Sequence, residues 1–377
     1  MRGGAAVLGG CVLATGAATA QPAAREIAFV ANSEDGTVSL VDLGARRVVG
    51  LLDINPERVQ ADHLGAPNYA QDVELSPDAR TLYVSRGYLS DVAAFDLASG
   101  RMIWKRPLHT GRADHMAVSK DGSTIFVAAL TDNSVYRIST AKGEITGHFA
   151  TGLWPHDTKF SRDGTLVYNS STGELPSLGI RNAPRPSEQP GYRYQLTVAD
   201  PVSLRVTDRI ELEAPFRPWA FAPDGEHIYA QLSNQRVVVT YDLGQRKVVR
   251  RLELPFTAGQ PIADWLLEAP LHGLALTPDG RTLCLAGRES DYVALVRAPE
   301  LSLIATVAVG RAPGWADIAG RGRLCVVPNA RSNDLSIVSI ATKTELARVP
   351  VGKGPRHVRV ANVPAALMAE MEARARS

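Results

Sequence analysis

The sequence predicts an all-β chain closed as a seven-bladed β-propeller, with four antiparallel strands in each blade. Three observations predict it. First, one phrase recurs: an apolar run, a Ser-Pro-Asp-Gly turn or a worn copy of it, then a β-branched or aromatic strand. Its clearest copies begin at Val73, Met116, Thr158, Ala220 and Leu274, and worn copies begin near Pro313 and Pro355. Second, the spacing is regular. The serine-equivalent positions are Ser76, Ser119, Ser161, Ala222, Thr277, Ala319 and Ala361, and four of their six intervals are 42 or 43 residues. The other two, 61 and 55, hold insertions. A period of ~40–45 residues fits one four-stranded blade per repeat. Third, the two ends are complementary fragments of one blade.

The chain starts with an export pattern: Arg2, an apolar stretch of small residues, then Ala18-Thr19-Ala20 before Gln21. Residues 1–20 are therefore expected to be a signal peptide and 21–377 a single propeller domain, periplasmic or secreted. Leu8-Gly9-Gly10-Cys11 also resembles a lipoprotein box, but the apolar run before Cys11 is short for a lipid anchor. No later stretch approaches the ~18 apolar residues that span a bilayer. With formal charge +2 and no long Lys/Arg run, the chain lacks the electrostatic footprint of a nucleic-acid binder. A monomer is expected.

Residues 27–32 and 37–42 are strands joined by the hairpin turn Ser33-Glu34-Asp35-Gly36, and 46–54 is a third. No first strand precedes them. Residues 355–361 make a first strand with no followers. Pairing the two ends completes the seventh blade and removes the open sheet edge. Residues after 362 read as a short amphipathic helix, with Leu367 and Met371 packing on the rim. Cys284 and Cys325 occupy equivalent second-strand positions in neighbouring blades. Sheets packed ~10 Å apart leave such cysteines out of disulfide reach, so two buried free thiols are expected.

Phe29-Val30-Ala31-Asn32 followed by 36–42, with the lead-ins Val309-Gly310-Arg311-Ala312-Pro313 and Val351-Gly352-Lys353-Gly354-Pro355, resembles the YVTN family of β-propeller repeats. The resemblance covers nearly all of the mature chain. It implies the fold and is nearly silent on function. Related wheels include lactonase-like proteins and the d-type-haem propeller of periplasmic nitrite reductases.

Three stretches exceed the repeat: 55–69, 171–192 and 255–271. In antiparallel four-stranded blades the loops that hold them emerge on one face, while the Ser-Pro-Asp-Gly turns lie on the other. Long loops on a rigid scaffold are the usual carriers of function. The inner strands begin on that decorated face, and there the sequence places His115 after Asp114, His156 before Asp157, His272, and His357 after Arg356. Imidazoles suit metal ligation or proton transfer, so these four are candidate metal ligands. His156 and His272 stand five residues before the serine position and His115 and His357 four, so strand alternation opposes a single four-histidine site unless a bulge intervenes. Arg112, Arg217, Arg311 and Arg356 favour an anionic ligand. Trp219 and Trp315 suit a flat, partly apolar guest. The structural reading stands beside these: rings packed between blades, and aspartates (Asp72 and Asp317 included) capping backbone amides.

No Cys-x-x-Cys-His occurs, so covalent c-type haem is excluded; a transition metal or non-covalent haem stays open. Walker, zinc-protease and Gly-x-Ser-x-Gly motifs are absent. Two functions compete: a module binding a small molecule or protein on its decorated face, or an enzyme at the same mouth, either a metal- or haem-assisted oxidoreductase or a lactone hydrolase.

Overall fold

The recurring phrase is a turn built from its own side chains. Ser76 Oγ donates to Asp78 Oδ1 at 2.6 Å and accepts the Thr81 amide at 2.9 Å. Ser119 with Asp121, Ser161 with Asp163 and Thr277 with Asp279 repeat the arrangement. Each turn reverses the chain in the left-handed region, at Gly122, Gly164 and Gly280 in three of them, where glycine carries no Cβ penalty. The hydroxyls and the amides of the turn pull the Asp121 and Asp163 carboxyls down to about 2. The turn therefore costs little at neutral pH and fixes the register of the strands on either side.

The computed structural model of the chain describes residues 1, 24–60, 62–63, 66–173, 194–233, 235–256 and 269–376. The expected signal peptide with Cys11, and most of the second and third insertions with Trp265, lie outside the described residues, as does the side chain of His63.

Seven sheets of four antiparallel strands follow one another in chain order. We number the blades I to VII by their inner strands: Asp72–Leu75, Ala113–Val118, Pro155–Phe160, Phe216–Phe221, Leu274–Leu276, Asp317–Ala319 and Pro355–Val363. The last of these pairs with Arg25–Asn32, which continues to Thr37–Asp42 and Arg47–Asp53. Blade VII is thus one C-terminal strand and three N-terminal strands, as the fragmentary ends predict.

Apolar residues alternate on the middle strands and bury against the next blade, giving cores between successive blades such as Val92, Ala94, Ile125 and Val127. Outer strands alternate exposed and half-buried residues, as in Met102–Pro107. The helix Ala365–Arg376 buries Leu367, Met368 and Met371 in the core shared by blades VII and I. Arg374 Nη1 donates to the Leu97 carbonyl at 2.9 Å, and Glu372 pairs with Arg25. The helix clasps the closing blade to its neighbour.

One expectation is overturned. Cys284 and Cys325 form a disulfide between blades V and VI, their Cα atoms 6.2 Å apart. The surrounding side chains explain the close approach, for Ala275, Ala286 and Ala316 let the two backbones draw nearer than sheets spaced by large residues. Gly273 contributes as well: a Cβ there would collide with the Gly314 carbonyl oxygen.

Candidate functional site

The inner strands deliver their side chains to the axis in layers, counted back from the serine-equivalent position. Five residues back stand Gln71, Asp114, His156, Arg217, His272, Gly314 and Arg356. Four back stand Asp72, His115, Asp157, Pro218, Gly273, Trp315 and His357. Two back stand Glu74, Ala117, Lys159, Ala220, Ala275, Asp317 and Arg359.

Strict alternation would turn the first two layers to opposite sides. The register slips at the strand entries resolve this: the pairing shifts between Ala113 and Met116, between Pro155 and Asp157, between Phe216 and Trp219, and opposite Pro355 and His357. An extra residue at each entry lets both layers reach the axis.

As a result all four histidines converge. The ring of His115 lies 4.6 Å from that of His156 and 5.4 Å from that of His357, and His156 lies 5.9 Å from His272. Trp315 crosses the axis to stack on His115 at 4.4 Å and packs at a tilt against His357 at 4.4 Å. Each of the four imidazoles is at most 2% exposed. Trp219, by contrast, packs edge-on with Tyr168 and Phe221 in the core between blades III and IV. Arg311 stays exposed on its loop and does not join the cluster.

The cluster's hydrogen bonding is incomplete. Both ring nitrogens of His272 and of His357, and Nδ1 of His115 and of His156, find no hydrogen-bond partner among the described residues. The same holds for Asp72 Oδ1 and Asp157 Oδ2. His357 Nε2 comes within 3.0 Å of Asp72 Oδ1 without the alignment a hydrogen bond requires. Native interiors leave few buried polar atoms unmatched, so this concentration at one point marks a site. The ligand atoms do not form one four-imidazole set. Those within 4.8 Å of one another fall into two triads, Asp72–His115–His357 and Asp114–His115–His156, and His272 joins neither.

Part of the aspartate set is architectural. Asp72 Oδ2 accepts the Met116 amide at 2.8 Å and Asp317 Oδ2 the Val360 amide at 2.8 Å, each tying its blade to the next. Asp114 accepts from its neighbour's amide (His115 N, 3.0 Å) and pairs with Arg112 at 3.1 Å.

Burial sets the protonation. It pushes His115 down to about 4 against the pull of Asp114 and Asp157, and holds His156, His272 and His357 well below the usual imidazole range. The imidazoles are therefore neutral at pH 7, the form that ligates metals. Burial raises Asp72 to about 6 and Glu74 to about 7, with Arg359 opposing in both cases. On the side of the entries, guanidiniums crowd together. Burial and the charges of Arg356, Arg217 and Arg331 push Arg288 down to about 9, and burial and Arg112 lower Arg356.

The third layer is a charged ring of which the sequence singles out only Asp317. Arg359 pairs with Glu74 and lies 3.9 Å from Asp317, while Lys159 pairs with Asp157 at 3.1 Å and lies 5.7 Å from the centres of both the Trp219 and Trp315 rings. Its signal was available, because each member stands two residues after one already singled out (Asp72, Asp157, Trp315, His357) and so shares its side of the strand. Lys159, Asp317 and Arg359 of this ring line a cavity of about 520 Å³ that also touches Arg162, Pro223 and Pro278. Those residues belong to the Ser-Pro-Asp-Gly turns, so the cavity opens on the face opposite the insertions. A larger groove of about 780 Å³ lies off the axis between blades IV and V, at Asp224, His227 and Arg250, and touches none of the imidazole cluster.

No family model and no curated protein sequence matches the chain. Among solved structures it is similar to hydrazine synthase of Kuenenia stuttgartiensis, with a TM-score of 0.64 and 18% identity, over 88% of this chain and 99% of that one. As many as 1773 solved chains match, so the likeness identifies the propeller architecture and no activity. Among the described residues no helix is long and apolar enough to cross a membrane.

Proposed function

We propose that the chain is an exported propeller of the YVTN type that binds an anionic small molecule at the entry of its axial channel, on the face bearing the insertions. One observation carries this reading: Arg112 and Arg356 meet at that entry, Arg112 lowering Arg356, and Arg112 Nε and Nη1 and Arg356 Nε are buried there without a hydrogen-bond partner among the described residues. A bound anion uses those donors and offsets the mutual repulsion of the two guanidiniums. The inter-blade disulfide supports export, since such bonds persist in oxidising compartments.

Titration calorimetry with citrate and with inorganic phosphate tests the reading. At least one binds in low salt and loses affinity as salt rises, and Arg112→Gln with Arg356→Gln weakens it by more than ~10-fold, each lost charge-assisted bond being worth ~1.5–3 kcal/mol. Absence of any anion isotherm for the folded protein refutes it.

An enzyme at the same channel is the second reading, favoured by Glu74, which changes protonation near neutrality and pairs with Arg359, a residue of the cavity wall. Lactone hydrolysis fits such an acid–base group. Non-covalent haem does not fit the imidazole cluster, because His115 has Trp315 at 4.4 Å and His156 at 4.6 Å, and no slot for a macrocycle separates them.

A further inference from the structure

We infer that Asp72, His115 and His357 form a binding site for one divalent first-row transition-metal ion. The inference deepens the reading of the axial cluster as a ligand site, but uses none of the arginines on which anion binding rests.

The three residues come from blades I, II and VII, are each at most 2% exposed, and have ligand atoms within 4.8 Å of one another. The separations match a coordination sphere better than a hydrogen-bond network. His357 Nε2 to Asp72 Oδ1 is 3.0 Å and His115 Nδ1 to Asp72 Oδ2 is 3.5 Å, while neither imidazole nitrogen has a hydrogen-bond partner. Ligands held at ~2.0–2.1 Å around a tetrahedral ion stand ~3.4 Å apart. Two imidazoles and a carboxylate form a donor set suited to zinc, cobalt, iron or nickel in the divalent state.

The surroundings orient the ligands. The Met116 amide holds Asp72 Oδ2 and leaves Oδ1 free. His115 Nε2 lies 3.3 Å from Gln71 Nε2 and 3.6 Å from Asp114 Oδ1, which leaves Nδ1 as the nitrogen open to a metal. The other triad is the poorer site. Its carboxylate, Asp114, is already compensated by Arg112 at 3.1 Å and also accepts the His115 amide and Gln71 Nε2. Three protein ligands leave a coordination position for water or an anion.

The test uses the full folded chain, stripped with a chelator and titrated with Co²⁺ under visible absorption, with Zn²⁺ as competitor. The expected result is one Co²⁺ per chain, with ligand-field bands displaced by Zn²⁺. Loss of an outer-shell partner typically costs 10–100-fold in metal affinity, so Asp72→Asn and His357→Gln, which lose ligands, should each cost more than ~100-fold. Asparagine keeps an acceptor for the Met116 amide, so Asp72→Asn retains its circular dichroism and cooperative unfolding. The surface variant His227→Ala binds as the parent does. A folded parent that takes up no stoichiometric Co²⁺ overturns the inference, as does binding that survives both axial variants. Citrate and phosphate isotherms on the same stripped protein separate the two readings: anion binding without Co²⁺ binding removes only the metal site, and Co²⁺ binding without anion binding removes only the anion reading.

Discussion

His272 sits on the axis with both ring nitrogens unmatched among the described residues and with cations, after burial, as the largest forces acting on it. Its protonation is held well below the unfolded value of 6.5 by burial and by Arg217 and Arg288. Below pH 6.5 the unfolded chain therefore takes up a proton that the folded chain refuses. The stability this group contributes is full above that pH and is lost, at up to about 1.4 kcal/mol per pH unit, as the pH falls toward the folded value. Glu74 has the opposite sign: raised from 4.5 to about 7, it contributes stability that is full below 4.5 and lost as pH rises through about 7. Thermal melts of the chelator-stripped protein should show His272→Gln flattening the acid limb and Glu74→Gln flattening the limb between 4.5 and 7. Identical pH profiles for parent and variants would contradict this account. Arg359 supplies a second check. Removing it leaves Glu74 and Asp317 without their counter-charge, and because a third of its side chain stays open to the cavity the cost falls below that of a sealed pair, about 2–3 kcal/mol for Arg359→Met. Adding Glu74→Gln should recover part of the loss in denaturant unfolding. At this scale the sequence disclosed the residue types at the strand entries and not their aim. His115 and His156 differ by one position in their repeats, and it is the slips in pairing, invisible in composition, that let them meet. Trp315 could not be distinguished from an inter-blade packing residue until its ring was seen to cross the axis.

The turns, strands and closing blade were legible because each depends on local chemistry repeated along the chain: a hydroxyl, an aspartate two residues on, a residue tolerant of positive φ. The disulfide was not legible, because it depends on how closely two particular sheets approach, and that is decided by alanines and glycines distributed over both. It encloses a sequence separation of 41 residues, so Cys284→Ala with Cys325→Ala, or a reductant, should cost about 2–4 kcal/mol. A melting temperature indifferent to reductant would show that the bond does not form in solution. Gly273 makes a matching prediction without redox chemistry. Gly273→Ala forces the added methyl into the Gly314 carbonyl oxygen and Ala286, spreading blades V and VI, and should lower the melting temperature and quench anion binding together.

The whole ring depends on its seventh blade. Deleting residues 364–377 removes the clasp of Leu367, Met368 and Met371 and should lower the melting temperature while leaving one cooperative transition. Deleting residues 355–377 takes the inner strand of the blade and exposes both edges, so cooperative unfolding should vanish in calorimetry. Which residues reach the axle, and from which face, follow from this closure and not from any single blade. The pairing of residues 25–32 with 355–363 has a mechanical side as well. Arg25 lies opposite Val363 and Asn32 opposite Pro355, so tension applied through residues 25 and 363 acts at the same end of both strands. Such a load opens an antiparallel ladder rung by rung instead of shearing all its bonds at once. Once the helix is peeled away, a molecular machine tugging on either tail would therefore meet the weakest direction of an otherwise seamless ring.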